Sequence, residues 1–280
     1  MQRTALAFHR NAHLHKLQVA VTAVKTLASI DEVDRALFKL PNGEDGSNHH
    51  VVVTDSTIFH PQGGGQPSDV GSIEATEGAR GPSFDVQMVR TSASPSSPGA
   101  VLHFGRFAAA DPLSIFQAGD AVEQRINVEK RLLYSRYHTA GHVLGSAVRH
   151  LLEKEVAGFD ETKASHFPDS AACEFMGTIE GKWKDAIQKR VDEYVERDMP
   201  VEIEWWDEED FRSHGLERLI PDRAAMGMTD DEKFRVVNIV GAEVYPCGGT
   251  HVDSTKLCGK TNVKKIGRSK GNSRVSYVLP

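Results

Sequence analysis

The chain has 280 residues, 39% apolar and 26% charged, with 33 basic against 39 acidic side chains for a net charge of −6. That length can bury one large core or two small ones, and the composition is that of an ordinary globular protein. The acidic balance argues against a surface coated in phosphate-binding residues, and no apolar run approaches the roughly 20 residues that cross a bilayer, so no membrane partner is expected.

The first 30 residues carry no acid and include Arg3, Arg10, Lys16 and Lys25, as a mitochondrial transit peptide also would. Residues 17–24 nevertheless alternate apolar and polar like a strand, and are read as part of the fold. Further strands are predicted at 18–27, 50–54, 84–90, 100–104 and 121–126, separated by turn-forming stretches. The polar loop 41–48 and the Ser/Pro loop 91–99 read as exposed hairpin loops, the second of them mobile. Spaced strands without a long helix predict a small N-terminal β-barrel over 1–126.

At Asn127 the period changes. Asn127 is placed to cap a helix, with Glu129 in its first turn. Leu133, Tyr137, Ala140, Leu144, Ala147 and Leu151 form an apolar stripe at spacings of three and four. Beyond it come a strand at 172–179, a helix at 182–196, a strand at 201–206 and a short helix at 208–214. A strand at 234–240 leads directly to Cys247, and a hairpin pairs 261–266 with 274–279. Without βαβ regularity or a phosphate loop, 127–280 reads as an α+β domain with helices against an antiparallel sheet.

His138 and His142 lie one turn apart on the first helix, beside its apolar stripe. Cys247-Gly-Gly-Thr-His251 supplies a thiol and a third imidazole about a hundred residues later. Together His138, His142, Cys247 and His251 form a soft-to-borderline donor set that suits one zinc ion, in either a closed structural site or a catalytic one. Gly248 and Gly249 can adopt positive φ and turn N–H groups inward as a nest beside the metal. Thr139 and Thr250 add hydroxyls, for substrate contact or for local packing. A zinc peptidase would carry a glutamate directly after the first histidine; here that position is Thr139. In the segment running from Thr57 to Gly71, Gly63, Gly64 and Gly65 form a loop without side chains that a bulky partner can approach. Three cysteines (Cys173, Cys247 and Cys258) are too few for a disulfide framework and fit a reducing compartment, the cytoplasm.

Three segments carry a resemblance. They are Thr57-Ile-Phe-His-Pro-Gln-Gly-Gly-Gly-Gln-Pro-Ser-Asp-Val-Gly71, His138-Thr-Ala-Gly-His142 and Cys247-Gly-Gly-Thr-His251-Val. Together they resemble the editing module of alanyl-tRNA synthetase and its free-standing relatives, the AlaX alanyl-tRNA editing proteins. The editing domain of threonyl-tRNA synthetase shares the histidine and cysteine positions but lacks the glycine-rich segment. The resemblance implies a barrel followed by the α+β domain common to the two synthetases. It also implies hydrolysis of serine, and of glycine, from mischarged alanine tRNA, with zinc held by His138, His142, Cys247 and His251. Gln66 would lie near the aminoacyl group and, with Thr139 and Cys247, serve the chemistry. Gly63, Gly64, Gly65, Gly248, Gly249 and Thr250 would line the substrate. Without a segment matching an aminoacylation core, a deacylase acting in trans is expected.

From Ser254 onward there is no acid, and seven basic residues including Lys264, Lys265 and Arg268 follow. These three are the expected contacts to the tRNA acceptor stem. Rival readings are an editor of mischarged threonine tRNA, a non-catalytic zinc-stabilised RNA-binding module, and a zinc hydrolase of small esters or amides.

Overall fold

The computed structural model describes residues 1–40, 43–76, 82–108 and 115–280. Pro41 and Asn42 of the polar loop lie outside them. The chain divides into two compact units, Met1–Gly63 with Ser68–Arg131, and Gly64–Pro67 with Leu132–Pro280.

The first unit contains β1 (Ala5–Leu6), β2 (Lys16–Thr26), α1 (Glu32–Arg35), β3 (His50–Thr54), β4 (Ser56–Thr57), β5 (Gly71–Ala75), β6 (Ser83–Thr91), β7 (Val101–Phe107) and β8 (Ala121–Ile126). Strands β2, β3, β7, β6, β5 and β8 close into an antiparallel barrel in that order. Its interior is Val19, Val21, Val52, Ile73, Phe84, Val86, Val101 and Val122, the inward set that strand alternation requires. Residues 17–24 lie inside β2, as their alternation predicts. The loop at 91–99 joins β6 to β7 as a hairpin, but it is pinned rather than free. Asp34, fully buried, accepts from Ser92 Oγ and from the N–H groups of Ala93 (2.7 Å) and Ser94 (3.2 Å), and Ser94 and Ser97 are themselves buried. Loop serines that satisfy a buried carboxylate cannot leave without orphaning it.

The aspartate of the glycine-rich segment has a structural task. Asp69 and Arg131 form a buried ion pair, with Arg131 Nε 3.0 Å from both carboxylate oxygens. Arg131 also donates to the carbonyls of Ala12 (2.8 Å) and Ile58 (2.6 Å), and His60 N–H donates to Asp69 at 2.6 Å. Such saturation is what makes a buried pair tolerable.

Helix α2 (Val128–Leu152) begins where the sequence indicates, with Asn127 Oδ1 accepting from Lys130 N–H at 2.9 Å. The second unit adds β9 (Asp160–Ser165), β10 (Ala172–Met176), α3 (Lys184–Glu196), β11 (Val201–Trp206), α4 (Glu208–Ser213), β12 (Phe234–Ile239), β13 (Glu243–Pro246), β14 (Asn262–Ser269) and β15 (Asn272–Val278). One sheet has the order β14-β15-β10-β9 and the other β11-β12-β13. Tyr137, Ala140, Leu144 and Ala147 of α2 pack into a core with Phe175, Ile187, Val191, Val237, Val275 and Tyr277. Leu133 and Leu151, at the ends of the stripe, are only partly buried against it. The α+β architecture with a leading barrel is therefore the one the sequence predicts. One connection differs from expectation. The strand at 234–240 does not run straight to Cys247; β12 ends at Ile239, and β13 returns antiparallel to it before delivering the cysteine. Among the described residues, no helix is long and apolar enough to cross a membrane.

Candidate metal centre

Spacing of four on α2 sets the His138 and His142 rings 4.8 Å apart, centroid to centroid, at nearly a right angle. The return of β13 brings Cys247 opposite Arg235, whose carbonyl accepts from Cys247 N–H at 3.2 Å. The turn that follows carries His251 over both helix imidazoles, at 4.4 and 4.7 Å. One donor atom from each of His138, His142, Cys247 and His251 lies within 4.8 Å of the others. Cys247 Sγ is 3.4 Å from Nε2 of His138 and 3.4 Å from Nε2 of His251. A tetrahedral shell with metal–sulfur and metal–nitrogen bonds of zinc length has sulfur–nitrogen edges of about 3.5 Å. In addition, the buried Nδ1 of His142 has no hydrogen-bond partner among the described residues, an orphan that a metal–nitrogen bond would satisfy. The donor set fits a four-coordinate cation. Cys247 is partly exposed and Gly248 exposed, so the centre is not sealed.

Behind the imidazoles lies a layer of polar side chains that fixes them. Gln66 Oε1 accepts from His138 Nδ1 at 2.7 Å and from Thr250 N–H at 3.0 Å, which leaves His138 Nε2 as the ring's donor atom toward Cys247. Gln66 Nε2 donates to Thr250 Oγ1 at 2.8 Å, and Thr250 Oγ1 meets Ser135 Oγ at 2.8 Å. Thr139 Oγ1 accepts from Val252 N–H (3.2 Å) and contacts His251 Nδ1 (3.1 Å). This is the outer support metal-binding histidines ordinarily have. The Tyr245 ring stands 4.4 Å from that of His142, with its hydroxyl shared with Ser146.

Burial pushes the Cys247 thiol above its ordinary value; a 3.4 Å hydrogen bond from Gly249 N–H and the nearby Arg235 guanidinium oppose it. Burial holds His142 well below its ordinary range, with His166 and Arg235 adding to the effect. A cation at the centre would override the first tendency by favouring thiolate, and would reinforce the second by favouring neutral imidazole. Burial alone takes His166 down to about 3. Cys173 and Cys258 are thiols raised by burial and contribute nothing to the cluster.

The four residues read as metal ligands thus come together. Gln66, Thr139 and Thr250 are fully buried, with polar atoms engaged on the imidazoles or on one another. Neither Gly248 nor Gly249 lies in the left-handed region, so the positive-φ nest expected there does not form. Gly249 is glycine for another reason, since a Cβ would overlap the His138 ring. Gly64 and Gly65 do have positive φ, 56° and 79°. Gly63 and Gly64 are exposed, whereas Gly65 is packed so closely on the Ala164 carbonyl that a Cβ would overlap it. Lys264, Lys265 and Arg268 are exposed on β14, where a register shift between Val263 and Lys265 turns two consecutive lysines to solvent.

Sequence reading missed His166, Tyr245, Arg235 and Ser135. His166 follows a polar edge strand and has no spacing to the histidine pair, although its ring stacks 4.2 Å from His138. Arg235 is buried and donates through Nη1 to the Cys247 carbonyl. An arginine second in an otherwise largely apolar strand was the available signal, because such a residue needs a reason to be there.

A leading barrel, an α+β unit and a four-donor centre are the features on which the chain can be compared with known proteins. Residues 234–276, from β12 through the Cys-Gly-Gly-Thr-His turn into β15, match the family described as the threonyl and alanyl tRNA synthetase second additional domain. Over 226 residues, 79% of the chain, the sequence is 29% identical to alanyl-tRNA editing protein AlaX-L of Pyrococcus horikoshii, of which it covers 49%. It is also similar to the alanine–tRNA ligases of Methanosphaera stadtmanae (26% over 238 residues, 81% of this chain and 24% of the ligase) and Methanococcus maripaludis (30% over 230 residues, 81% and 23%). The chain therefore spans about half the length of AlaX-L and about a quarter of the ligases. The resemblance to AlaX-type editing proteins and synthetase editing domains read from the sequence is borne out.

Proposed function

We propose that this chain hydrolyses the ester joining a wrong amino acid, serine and also glycine, to alanine tRNA. The centre is one where His138, His142, Cys247 and His251 hold a single zinc ion. The observation that carries the reading is the convergence of these four donors within 4.8 Å of one another. Three imidazoles with one thiolate select zinc over harder cations. Similarity to AlaX-L and to alanine–tRNA ligases directs the choice of tRNA.

Zinc held by these four residues would supply Lewis-acid chemistry to the ester, provided one protein donor gives up its position to water or substrate. The protein supplies position. Gln66 and Thr139 hold the rings of His138 and His251 at fixed orientation, and so serve the reaction through the imidazoles. An aminoacyl ester is already activated, which is why Thr139 can stand where a zinc peptidase carries its glutamate. Exposed Gly248, beside Cys247, leaves the approach free of side chains. Lys264, Lys265 and Arg268 offer a cationic strand to the acceptor stem.

The test is deacylation of seryl-, glycyl- and alanyl-charged alanine tRNA side by side, with metal content measured on the same preparation. Release of serine and glycine but not alanine, with one zinc per chain and loss of both metal and activity in Cys247→Ala, is the expected result. Zinc without hydrolysis would instead favour a non-catalytic RNA-binding module. Serine release from threonine tRNA alone would favour the threonine branch.

A further inference from the structure

His166 is a fifth imidazole beside the centre, outside the donor set. Its ring lies 4.2 Å from that of His138 at 25° and 6.2 Å from that of His142. Its tautomer follows from a chain of hydrogen bonds. The Tyr277 hydroxyl donates its only proton to the Tyr137 carbonyl at 2.8 Å, and so can only accept from His166 Nδ1, also at 2.8 Å. The proton therefore sits on Nδ1, and Nε2 carries a lone pair that no hydrogen bond satisfies among the described residues. Two glycines give the ring its room. A Cβ on Gly141 would overlap the Nδ1 edge, and one on Gly65 would stand 3.1 Å from Cδ2, the atom next to Nε2. Nε2 lies between the Cε1 that meets Gly141 and the Cδ2 that meets Gly65, and exposed Gly64, next in the glycine loop, adds no side chain on that side. No carboxylate pairs with His166 among the described residues, so nothing there favours a cation over a neutral donor.

We propose that His166 Nε2 is the acceptor that reads the side-chain hydroxyl of a mischarged serine, the group that alanine lacks. The proposal rests on the deacylase reading above. A nearly enclosed acceptor that is satisfied by serine and left unpaired by alanine discriminates in the required direction. It also leaves glycine clearance independent of His166.

Two substitutions separate this role from support. His166→Asn puts an amide where Nδ1 is, keeping the bond to Tyr277 and removing the Nε2 acceptor. His166→Gln places an amide oxygen near the Nε2 position. In His166→Asn, kcat/KM for seryl-charged alanine tRNA should fall about 10- to 100-fold, with glycyl deacylation changed less than about threefold. Zinc stoichiometry should be unchanged, and His166→Gln should recover most of the seryl rate. Binding of non-hydrolysable 3′-serylamino- and 3′-alanylamino-adenosine provides a readout that needs no turnover. The wild type should prefer the seryl analogue, and His166→Asn should lose that preference. Parallel loss of seryl and glycyl deacylation, unchanged seryl deacylation, or a wild type blind to the two analogues would each overturn the role of His166. A wild type that prefers the seryl analogue yet releases no amino acid would overturn the deacylase reading and leave the recognition intact.

Discussion

Gly249 lies against the edge of the His138 ring so closely that a methyl group in place of its hydrogen would overlap Cε1 and Nδ1 and stand 2.8 Å from Gln66 Oε1. The backbone of the Cys-Gly-Gly-Thr-His turn is therefore one wall of the slot that holds an imidazole of the candidate metal centre. Gly249→Ala must push His138 out of line with Cys247 or open the turn. Zinc affinity, measured by competition with a chromophoric chelator, should fall about 10- to 100-fold. The far-ultraviolet circular dichroism should stay native, because the strain is local. An unchanged zinc affinity would show that the turn yields without disturbing the ring.

Gln66 reaches the same imidazole from the opposite chemical direction, as acceptor for Nδ1. Gln66→Leu keeps the volume and removes the acceptor for both His138 Nδ1 and Thr250 N–H. An unpaired buried N–H costs about 1–3 kcal/mol, so a stability loss of that size in urea unfolding should accompany a zinc affinity weakened about tenfold or more. Gln66→Glu should be milder for metal binding, since a carboxylate still accepts from Nδ1. If leucine and glutamate behave alike, the bond to His138 is not what Gln66 contributes.

Much of this was legible because certain residues carry information along several routes at once. Asn127 announces α2 through its cap, and the stripe from Tyr137 to Ala147 fixes which face is buried, so the position of His138 and His142 follows. Strands β3 and β8 have the predicted bounds, β3 through its run of three valines and β8 through the inward alternation of Val122, Gln124 and Ile126. Strand β5 was missed. Of its residues only Ile73 is buried and apolar, between Ser72 and Glu74, and its place in the barrel comes from β6 and β8 rather than from its own propensity. Strand β9 is a polar edge strand, held in register by β10 on one side, and no periodicity could reveal it. His166 was lost with it. Gly249 was marked as special by its type, but the reason lay in a neighbour more than a hundred residues away, which local pattern cannot name.

His103, on β7, ties barrel stability to pH. It is fully buried; Nδ1 donates to the Val52 carbonyl at 2.9 Å, and Nε2 accepts from Thr57 Oγ1 at 2.8 Å. Burial takes its pKa down to about 4, with the Val52 hydrogen bond opposing. The unfolded chain, titrating near about 6.5, then binds the proton that the folded state refuses. Its stabilising contribution is present in full above about pH 6.5, is lost as pH falls from there to about 4, and is flat below. Over that window the loss is about 3 kcal/mol. Urea midpoints at pH 7 and pH 4 should therefore differ more for the wild type than for His103→Gln, whose other groups titrate alike. Equal pH dependence in the two proteins would show that His103 is not the source.

The exposed cations of β14 set the last expectation. The bulge between Val263 and Lys265 puts Lys264 and Lys265 on solvent together, and Arg268 is exposed further along the same strand. None of the three has an ion-pair partner among the described residues, in contrast to Lys256 with Asp198 and Arg274 with Glu174. Charges already paired gain little from a phosphate; these three gain most. Replacing all three by glutamine should weaken binding of alanine tRNA and reduce the slope of log affinity against log salt by about 2 to 3, the release of roughly that many counterions. Zinc content should be unaffected, because the strand carries no ligand. A salt slope equal to that of the wild type would place the phosphate contacts on another face, and the acidic net charge of the chain would then need a different local exception.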